Sequence, residues 1–153
     1  MDDGGRLVTG EARIVIGRPI DEVFAFVADP LNDPKWCPTV RDPEQIGGNA
    51  PIVGAEYRFL HKPGPPKYAP ITARIMELDS PRRFAARSED AHGFYEFSYE
   101  LEPVDGGTQI THRTESHFTS FLRFFAPLLK GHLRKMMTGQ LQNLKTLLED
   151  QPE

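Results

Sequence analysis

A single cysteine, Cys37, occurs among the 153 residues of the chain. No disulfide can form within one copy, and this cysteine usage is typical of proteins from a reducing compartment, so we expect a cytoplasmic location. A membrane-spanning helix needs about 18 consecutive apolar residues. The densest apolar run, 124–129, is far shorter and lies between Arg123 and Lys130. We therefore predict no integral membrane segment, and the acidic first residues predict no secretory signal.

The chain also lacks a strong excess of charge of either sign. The chain carries 18 Lys and Arg against 22 Asp and Glu, a net charge of −4, with no block of like charge. A nucleic-acid-binding surface needs a basic stripe, so nucleic acid is not predicted as a partner. The GxGxxG, P-loop and HExxH patterns are absent, and no three ligand side chains have the spacing of a catalytic zinc site. Neither a cofactor nor a metal is therefore expected.

The length and an apolar content of 39% are those of one globular domain. We assign that domain to residues 1–153, with an ordered core over about 10–149. Residues 1–8 are expected to form a loose leader. Ala12, Ile14 and Ile16 then alternate with Arg13 and Val15, which predicts a half-buried first strand.

Two short helices are predicted after this strand. Pro19 suits the first turn of a helix, where its missing N–H costs nothing. Asp29 precedes Pro30 and therefore avoids the helical conformation, which ends the first helix. Residues 31–38 are expected to form a second short helix or a turn.

Alternating sequence patterns predict the remaining strands. The clearest pattern covers residues 94–102, where aromatic side chains alternate with acidic or small polar ones. Asp105-Gly106-Gly107 predicts a tight hairpin after it. Pro43 lies in the weakest segment and predicts an edge strand, because proline cannot donate a ladder hydrogen bond. The predicted strands after the first are 40–46, 56–62, 71–75, 84–88, 94–102 and 109–116.

One long amphipathic helix is predicted over Leu128–Glu149, about 32 Å in length from Leu128 to Leu148. Antiparallel strands joined by short turns leave one sheet face to be covered, and this helix is the available cover. The sequence thus predicts an α+β fold: a curved antiparallel sheet of about seven strands wrapped around a long C-terminal helix, with two short helices after the first strand. The covering side of the helix is predicted to present Leu129, Leu133, Met136, Met137, Gln140, Leu144, Leu147 and Leu148.

Framework residues in a fixed order carry a resemblance to a known superfamily. They are Pro19, Val23-Phe24, Asp29, Trp36, Val53-Gly54, Gly107-Thr108, Pro127, Leu144-Lys145 and Leu148-Glu149. Over residues ~10–149 the chain resembles the START-like (helix-grip) superfamily, and within it the polyketide cyclase/dehydrase and lipid-transport group of SRPBCC proteins. The resemblance implies a cavity for a hydrophobic small molecule, and it brings no catalytic signature.

The inward face predicted by strand alternation mixes large apolar side chains with a few hydroxyl and imidazole groups. A ligand pocket has that composition, whereas a purely structural core would contain fewer hydroxyls, because a buried one without a partner costs about 1–3 kcal/mol. The alternative is that the tyrosine phenols merely reach the rim. The predicted ligand-binding residues are Tyr57, Phe59, His61, Ile75, Phe84, Tyr95, Phe97, Tyr99, His112, Thr114, Leu133, Met136 and Met137.

His112 and Tyr99 are the catalytic candidates if the protein is an enzyme. A neutral imidazole in mid-strand could orient a ligand carbonyl or move a proton, and a phenol could polarise a carbonyl. The structural alternative is a core histidine hydrogen-bonded to a tyrosine. Cys37, which follows Trp36, is interpreted as inert packing, with a Cys–His nucleophilic pair left open.

Three functions remain open at this point. The first is binding of a lipid-, polyketide- or quinone-like molecule in a cavity between the sheet and the C-terminal helix, for carriage or sensing. The second is a polyketide cyclase/dehydratase-type enzyme that uses the pocket His and Tyr without metal. The third is an interaction protein whose own side chains fill the cavity. Phe121–Phe125 are expected to be buried under a loop, with a lid or a membrane contact as alternatives, and the chain is expected to be a monomer or homodimer.

Overall fold

The computed structural model describes residues 6–61, 69–90, 93–118 and 126–150. Seven strands, two α-helices and one 3₁₀ helix (η1) follow one another in these ranges. They are β1 (Arg6–Ile16), α1 (Ile20–Val27), η1 (Pro30–Lys35), β2 (Val40–Gly47), β3 (Glu56–His61), β4 (Ala69–Asp79), β5 (Arg83–Asp90), β6 (Gly93–Val104), β7 (Gly107–Phe118) and α2 (Ala126–Glu149).

The seven strands form one antiparallel sheet in the order β1-β7-β6-β5-β4-β3-β2. This confirms the predicted fold class, including the two short helices after the first strand. β2 is an edge strand, as Pro43 predicts, and its pairing with β3 shifts between Arg41 and Glu44. Asp42 has φ 53° at that irregularity, which bends the edge away from regular pairing. None of the helices in the described ranges is long and apolar enough to cross a membrane.

The first strand is longer than the sequence pattern predicts. β1 pairs with β7 from Arg6 to Ile16, so residues 6–8 belong to the sheet and the predicted loose leader is too long. The long partner strand β7 supplies hydrogen bonds along the whole of β1. Gly10 interrupts the alternation of side chains, which hid the extension. A Cβ at this position would lie 2.8 Å from Met137 Sδ, so glycine lets α2 approach the strand closely.

The helix α2 covers the sheet with a stripe of fully or nearly fully buried side chains: Met137, Leu141, Leu144 and Leu148. Their spacing of four, three and four residues is that of one helix face. Leu141 was not among the residues predicted for this face, whereas Leu147 is only half-buried. The side chain of Leu129 lies outside the described part of the chain. Together with the inward side chains of the strands, this stripe forms the hydrophobic core.

The outer face of the sheet carries ion pairs between every two neighbouring strands. Their N···O distances are 2.5–3.1 Å and their side chains are largely exposed. Exposed pairs contribute about 0.2–1 kcal/mol each, and four of the six share members in one network that runs from Glu11 to Glu77. This outer ion-pair ladder consists of Glu11–Arg113, Arg113–Glu100, Glu100–Arg83, Arg83–Glu77, Arg74–Glu56 and Arg58–Glu44.

The end of α2 is fastened to the corner that joins β1 to α1. Glu149 Oε2 accepts a hydrogen bond from the backbone N–H of Gly17 at 2.6 Å. Arg18 Nε donates to the carbonyl of Leu148 at 2.9 Å, and Lys145 Nζ donates to the carbonyl of Val15 at 2.9 Å. These three contacts, which we call the C-terminal clamp, join residues 130 or more positions apart in sequence.

Gly107 packs against the same corner, and we predict that Gly107→Ala destabilises the protein by at least about 3 kcal/mol. Its φ is +145°, and a Cβ there would lie 2.0 Å from the carbonyl oxygen of Ile16, so the corner must move. The measurement is the free energy of unfolding in urea.

Gly106→Ala is the matched control in the same turn. Its φ is +88°, but a Cβ would meet nothing within 4 Å, so only the left-handed backbone is penalised, by about 1–2 kcal/mol. Equal losses for the two variants would show that the Ile16 contact is unimportant.

Candidate functional site

A cavity of about 40 Å³ lies between the inner face of the sheet and η1. Strands β3 to β6 form its floor, and Pro30 and Asp33 of η1 form the opposite wall. Its surface is mainly apolar, which is the usual character of a small-molecule site. The lining residues are Pro30, Asp33, Val40, Tyr57, Phe59, Ile71, Ala73, Arg74, Ile75, Ala86, Ser88, Tyr95 and Phe97.

Local sequence periods position these side chains. In the strands every second residue points inward, which places Tyr57 with Phe59 and Tyr95 with Phe97 on the cavity side. A 3₁₀ helix repeats every three residues, so Pro30, Asp33 and the following Trp36 share one side of η1. Pro30 and Trp36 are buried, and Asp33 lies between them at the cavity wall.

Three buried polar atoms have no hydrogen-bond partner among the described residues: Tyr57 Oη, Trp36 Nε1 and His112 Nδ1. Tyr57 is fully inaccessible and belongs to the cavity lining. A buried polar group without a partner costs about 1–3 kcal/mol, and such groups are few in native proteins. Of the three, only Tyr57 is a lining residue of the described cavity.

Asp33 supplies the only carboxyl group in the described lining. Burial, together with the nearby charge of Asp29, holds the pKa of Asp33 well above its usual range. Burial and Asp33 likewise raise the pKa of Cys37, which keeps that thiol protonated. A protonated thiol is a poor nucleophile, so the inert interpretation of Cys37 fits the structure better than a Cys–His pair.

His112 and Tyr99 are buried neighbours, with ring centroids 4.8 Å apart. The aromatic ring of Phe97 lies between this pair and the cavity, at 6.2 Å from the His112 ring and 5.7 Å from the Tyr99 ring. Burial lowers the pKa of His112 to about 4. Burial is also the main reason that the pKa of Tyr99 lies well above its usual range. Both side chains are therefore uncharged at neutral pH.

The structure brings together part of the predicted set. Tyr57, Phe59, Ile75, Tyr95 and Phe97 line the described cavity. Phe84, Tyr99, His112 and Thr114 are buried but are not among its lining residues, and the described lining includes no residue of α2. Contact of these residues with a ligand stays a prediction.

The three α2 residues of the predicted set lie on the helix as expected from its periodicity. Met137 is buried, and the hydroxyl of Thr114 donates to its sulfur at 3.6 Å. Leu133 and Met136 are half-buried. The side chain of His61 and the segment Phe121–Phe125 lie outside the described residues.

Asp33 is the functional candidate that the sequence analysis did not find. Residues 31–38 were interpreted only as a short helix or turn, without a period. A period of three, counted from Pro30 to Trp36, would have placed Asp33 on the inward side. In the described residues no group of three or more His, Cys, Asp or Glu side chains is arranged to hold a metal ion.

Comparison with known proteins places the chain among proteins of this architecture. A family model described as polyketide cyclase/dehydrase and lipid transport matches residues 8–149. Among curated proteins no sequence match was found. The match to the family model therefore carries the assignment.

Solved structures share the fold at low sequence identity. The di-domain ARO/CYC BexL from the BE-7585A biosynthetic pathway is 20% identical, with 92% of this chain and 46% of that chain covered and a TM-score of 0.73. The Polyketide_cyc-like protein Cgl2372 from Corynebacterium glutamicum is 21% identical, with coverages of 94% and 93% and a TM-score of 0.64. Ara h 8.0201 is 18% identical, with coverages of 95% and 99% and a TM-score of 0.70. These structures confirm the helix-grip fold.

We predict that His112 makes the protein less stable in acid. The pKa is 6.5 for an ordinary histidine and about 4 in the folded protein, so between these values only the unfolded chain takes up the proton. The stability that comes from keeping His112 neutral is fully present above about pH 6.5 and is lost as the pH falls towards 4. At pH 4.5 the loss should reach roughly 2–3 kcal/mol.

The measurement is urea unfolding of the wild type and His112→Phe at pH 7 and pH 4.5. Between pH 7 and pH 4.5 the wild type should lose that amount of unfolding free energy relative to the variant. Asp33 titrates in both proteins and cancels. A difference that is independent of pH would show that folding leaves the His112 pKa unchanged.

Proposed function

The chain belongs to the polyketide cyclase/dehydrase and lipid transport family, and on that premise we propose that it binds a hydrophobic small molecule non-covalently, for carriage or sensing. The family fold supports hydrophobic ligand binding as the general role. The proposed ligand is lipid-, polyketide- or quinone-like, and it occupies the space between the inner face of the sheet and η1, extending towards α2.

One observation carries this proposal: an apolar, aromatic-lined cavity includes Tyr57, whose buried hydroxyl has no hydrogen-bond partner among the described residues. Phe59, Tyr95 and Phe97 provide flat apolar surface at the cavity. Burial of ligand surface contributes about 25 cal/mol per Å², so many such contacts outweigh one hydrogen bond of about 0.5–1.5 kcal/mol. The unpartnered Tyr57 hydroxyl then orients the ligand.

The size of the cavity adds a condition to binding. Sites for drug-sized ligands measure about 300–1,000 Å³, well above the space of about 40 Å³ found here. A ligand of that size must therefore enlarge the space by moving side chains at its walls. Rotation of aromatic and aliphatic side chains on one wall, or a shift of the short helix η1 on the other, would provide it.

The cyclase/dehydratase-type enzyme is the second candidate, and the pairing of His112 with Tyr99 favours it. The pKa of His112 argues against a proton-transfer role, because efficient acid–base catalysis at neutral pH needs a pKa near the working pH. With a pKa of about 4, the imidazole is a weak base and is almost never protonated at pH 7. Positioning of a bound ligand is the role that we propose for it.

The identity of the ligand is tested by native mass spectrometry of the protein purified from its own host. A non-covalently bound hydrophobic molecule that dissociates on unfolding supports the proposal. Purified protein that carries nothing, and that also fails to take up any member of a library of lipids, polyketides and quinones, would contradict it.

We predict that Ala73→Trp raises the dissociation constant of the co-purified ligand at least tenfold. Ala73 lines the cavity, and an indole at this position would fill it. Thr72→Trp is the matched control. Thr72 is the exposed neighbour on the same strand, so its substitution adds an indole to the outer face and should leave the dissociation constant unchanged. Equal effects of the two variants would place the ligand elsewhere.

We also predict that His112→Ala weakens binding of the same ligand by less than tenfold, which corresponds to 1.4 kcal/mol. Apolar burial dominates the affinity, and Phe97 separates the imidazole from the described cavity. Isothermal titration measures the change. Unchanged affinity with loss of turnover of a polyketide-like substrate would replace the carrier proposal with the enzyme.

A further inference from the structure

The cavity has an apolar part and a polar end. Phe59, Ile71 and Phe97 line the apolar part. At the polar end, Tyr57 on β3 and Asp33 on η1 both belong to the lining of the same space. The Tyr57 hydroxyl is buried and has no hydrogen-bond partner among the described residues. A ligand atom in this space is the available partner for it.

Few charges are present to balance an ionic ligand. Arg74 contributes to the lining, but its guanidinium donates to the carboxylate of Glu56 through Nε at 3.1 Å and through Nη2, in an exposed ion pair. The described lining includes no lysine and no histidine. A ligand carboxylate would therefore approach Asp33 without a free cation, and burial of an uncompensated charge is strongly unfavourable.

We propose that Tyr57 and Asp33 form a polar subsite that selects an uncharged ligand oxygen, such as a ketone or quinone carbonyl, and rejects carboxylate and ammonium groups. This inference rests on the proposed function and narrows its ligand class. It distinguishes neutral carbonyl compounds from fatty-acid anions and from hydrophobic amines.

The chemistry of the two side chains explains the choice of a carbonyl. The Tyr57 hydroxyl lacks an acceptor, and a carbonyl oxygen has two lone pairs to offer. Because burial raises the pKa of Asp33, its carboxyl retains a proton over a wider pH range and then acts as a second donor. An ammonium group would satisfy Asp33 only as a carboxylate, and it would leave the Tyr57 hydroxyl without an acceptor.

Four small probes of nearly equal shape test this subsite. Acetophenone carries a ketone, cumene carries two methyl groups instead, benzoate carries an anion and 1-phenylethylammonium carries a cation. All share one phenyl ring, which suits the small cavity. NMR chemical-shift titration of the full-length protein measures each dissociation constant. We expect the wild type to bind benzoate and 1-phenylethylammonium at least tenfold more weakly than acetophenone.

Tyr57→Phe provides the decisive comparison. This variant keeps the ring and removes only the hydroxyl, so it should weaken acetophenone binding about tenfold while cumene binding changes less than twofold. The ratio between the probes cancels differences in their own solvation. Removal of an unpartnered buried hydroxyl should also leave the free energy of unfolding equal or higher, which shows that the variant is folded.

Asp33→Asn tests the second donor. The asparagine amide can still donate, so acetophenone should bind within about threefold of its wild-type affinity. The inference is overturned if Tyr57→Phe weakens both probes equally or neither, if a charged probe binds the wild type best, or if Asp33→Asn abolishes binding of 1-phenylethylammonium alone. In each case the proposed function survives as long as cumene binds. Binding of none of the four probes overturns this inference, whereas the proposed function is overturned only by the mass-spectrometry and library result given above.

Discussion

The cavity depends on how the last helix is held across the sheet. The C-terminal clamp joins the end of α2 to the β1–α1 corner through Glu149, Leu148 and Lys145. The Glu149 carboxylate is kept ionised, because hydrogen bonds from Lys145 and from the Gly17 N–H lower its pKa. Thr108 holds the same corner from the other side through its hydroxyl, which donates to the Arg18 carbonyl at 2.8 Å. With its end fixed in this way, α2 lays its apolar stripe over β1. The part of the inner sheet face next to η1 is left uncovered by the helix, and the cavity lies there.

The two faces of the sheet carry different kinds of side chain. The outer face carries the ion pairs, whereas the inner face carries aromatic rings and a few neutral polar groups. Asp33 is the one carboxyl in the described cavity lining, and it comes from η1, not from a strand. The unpartnered hydroxyl of Tyr57 and the uncharged imidazole of His112 are costs that a purely structural core would avoid. These two groups set the inner face apart from a purely apolar core.

The sequence was most informative where a single period extends over many residues. The alternation in β6 predicted both the strand and its inward rings, and Asp105-Gly106 predicted the hairpin to β7. Prediction failed where a period was short or interrupted. Gly10 concealed the first residues of β1, because only the close approach of Met137 explains a glycine there. Asp33 was missed because two turns of 3₁₀ helix have too few residues to display their period. Packing between elements that are distant in sequence decides which inward residues line the cavity. A local sequence pattern cannot predict that packing.

The outer ion-pair ladder has a consequence for how the protein can evolve. Every pair of neighbouring strands is joined by it, from Glu11–Arg113 at one edge to Arg58–Glu44 at the other. Strand neighbours are thus specified by side chains that never face the ligand. Substitutions on the inner face can then alter the shape of the binding space while strand order and register are kept by the opposite surface. A sheet built in this way separates the side chains that fix its strand order from those that shape its inner face.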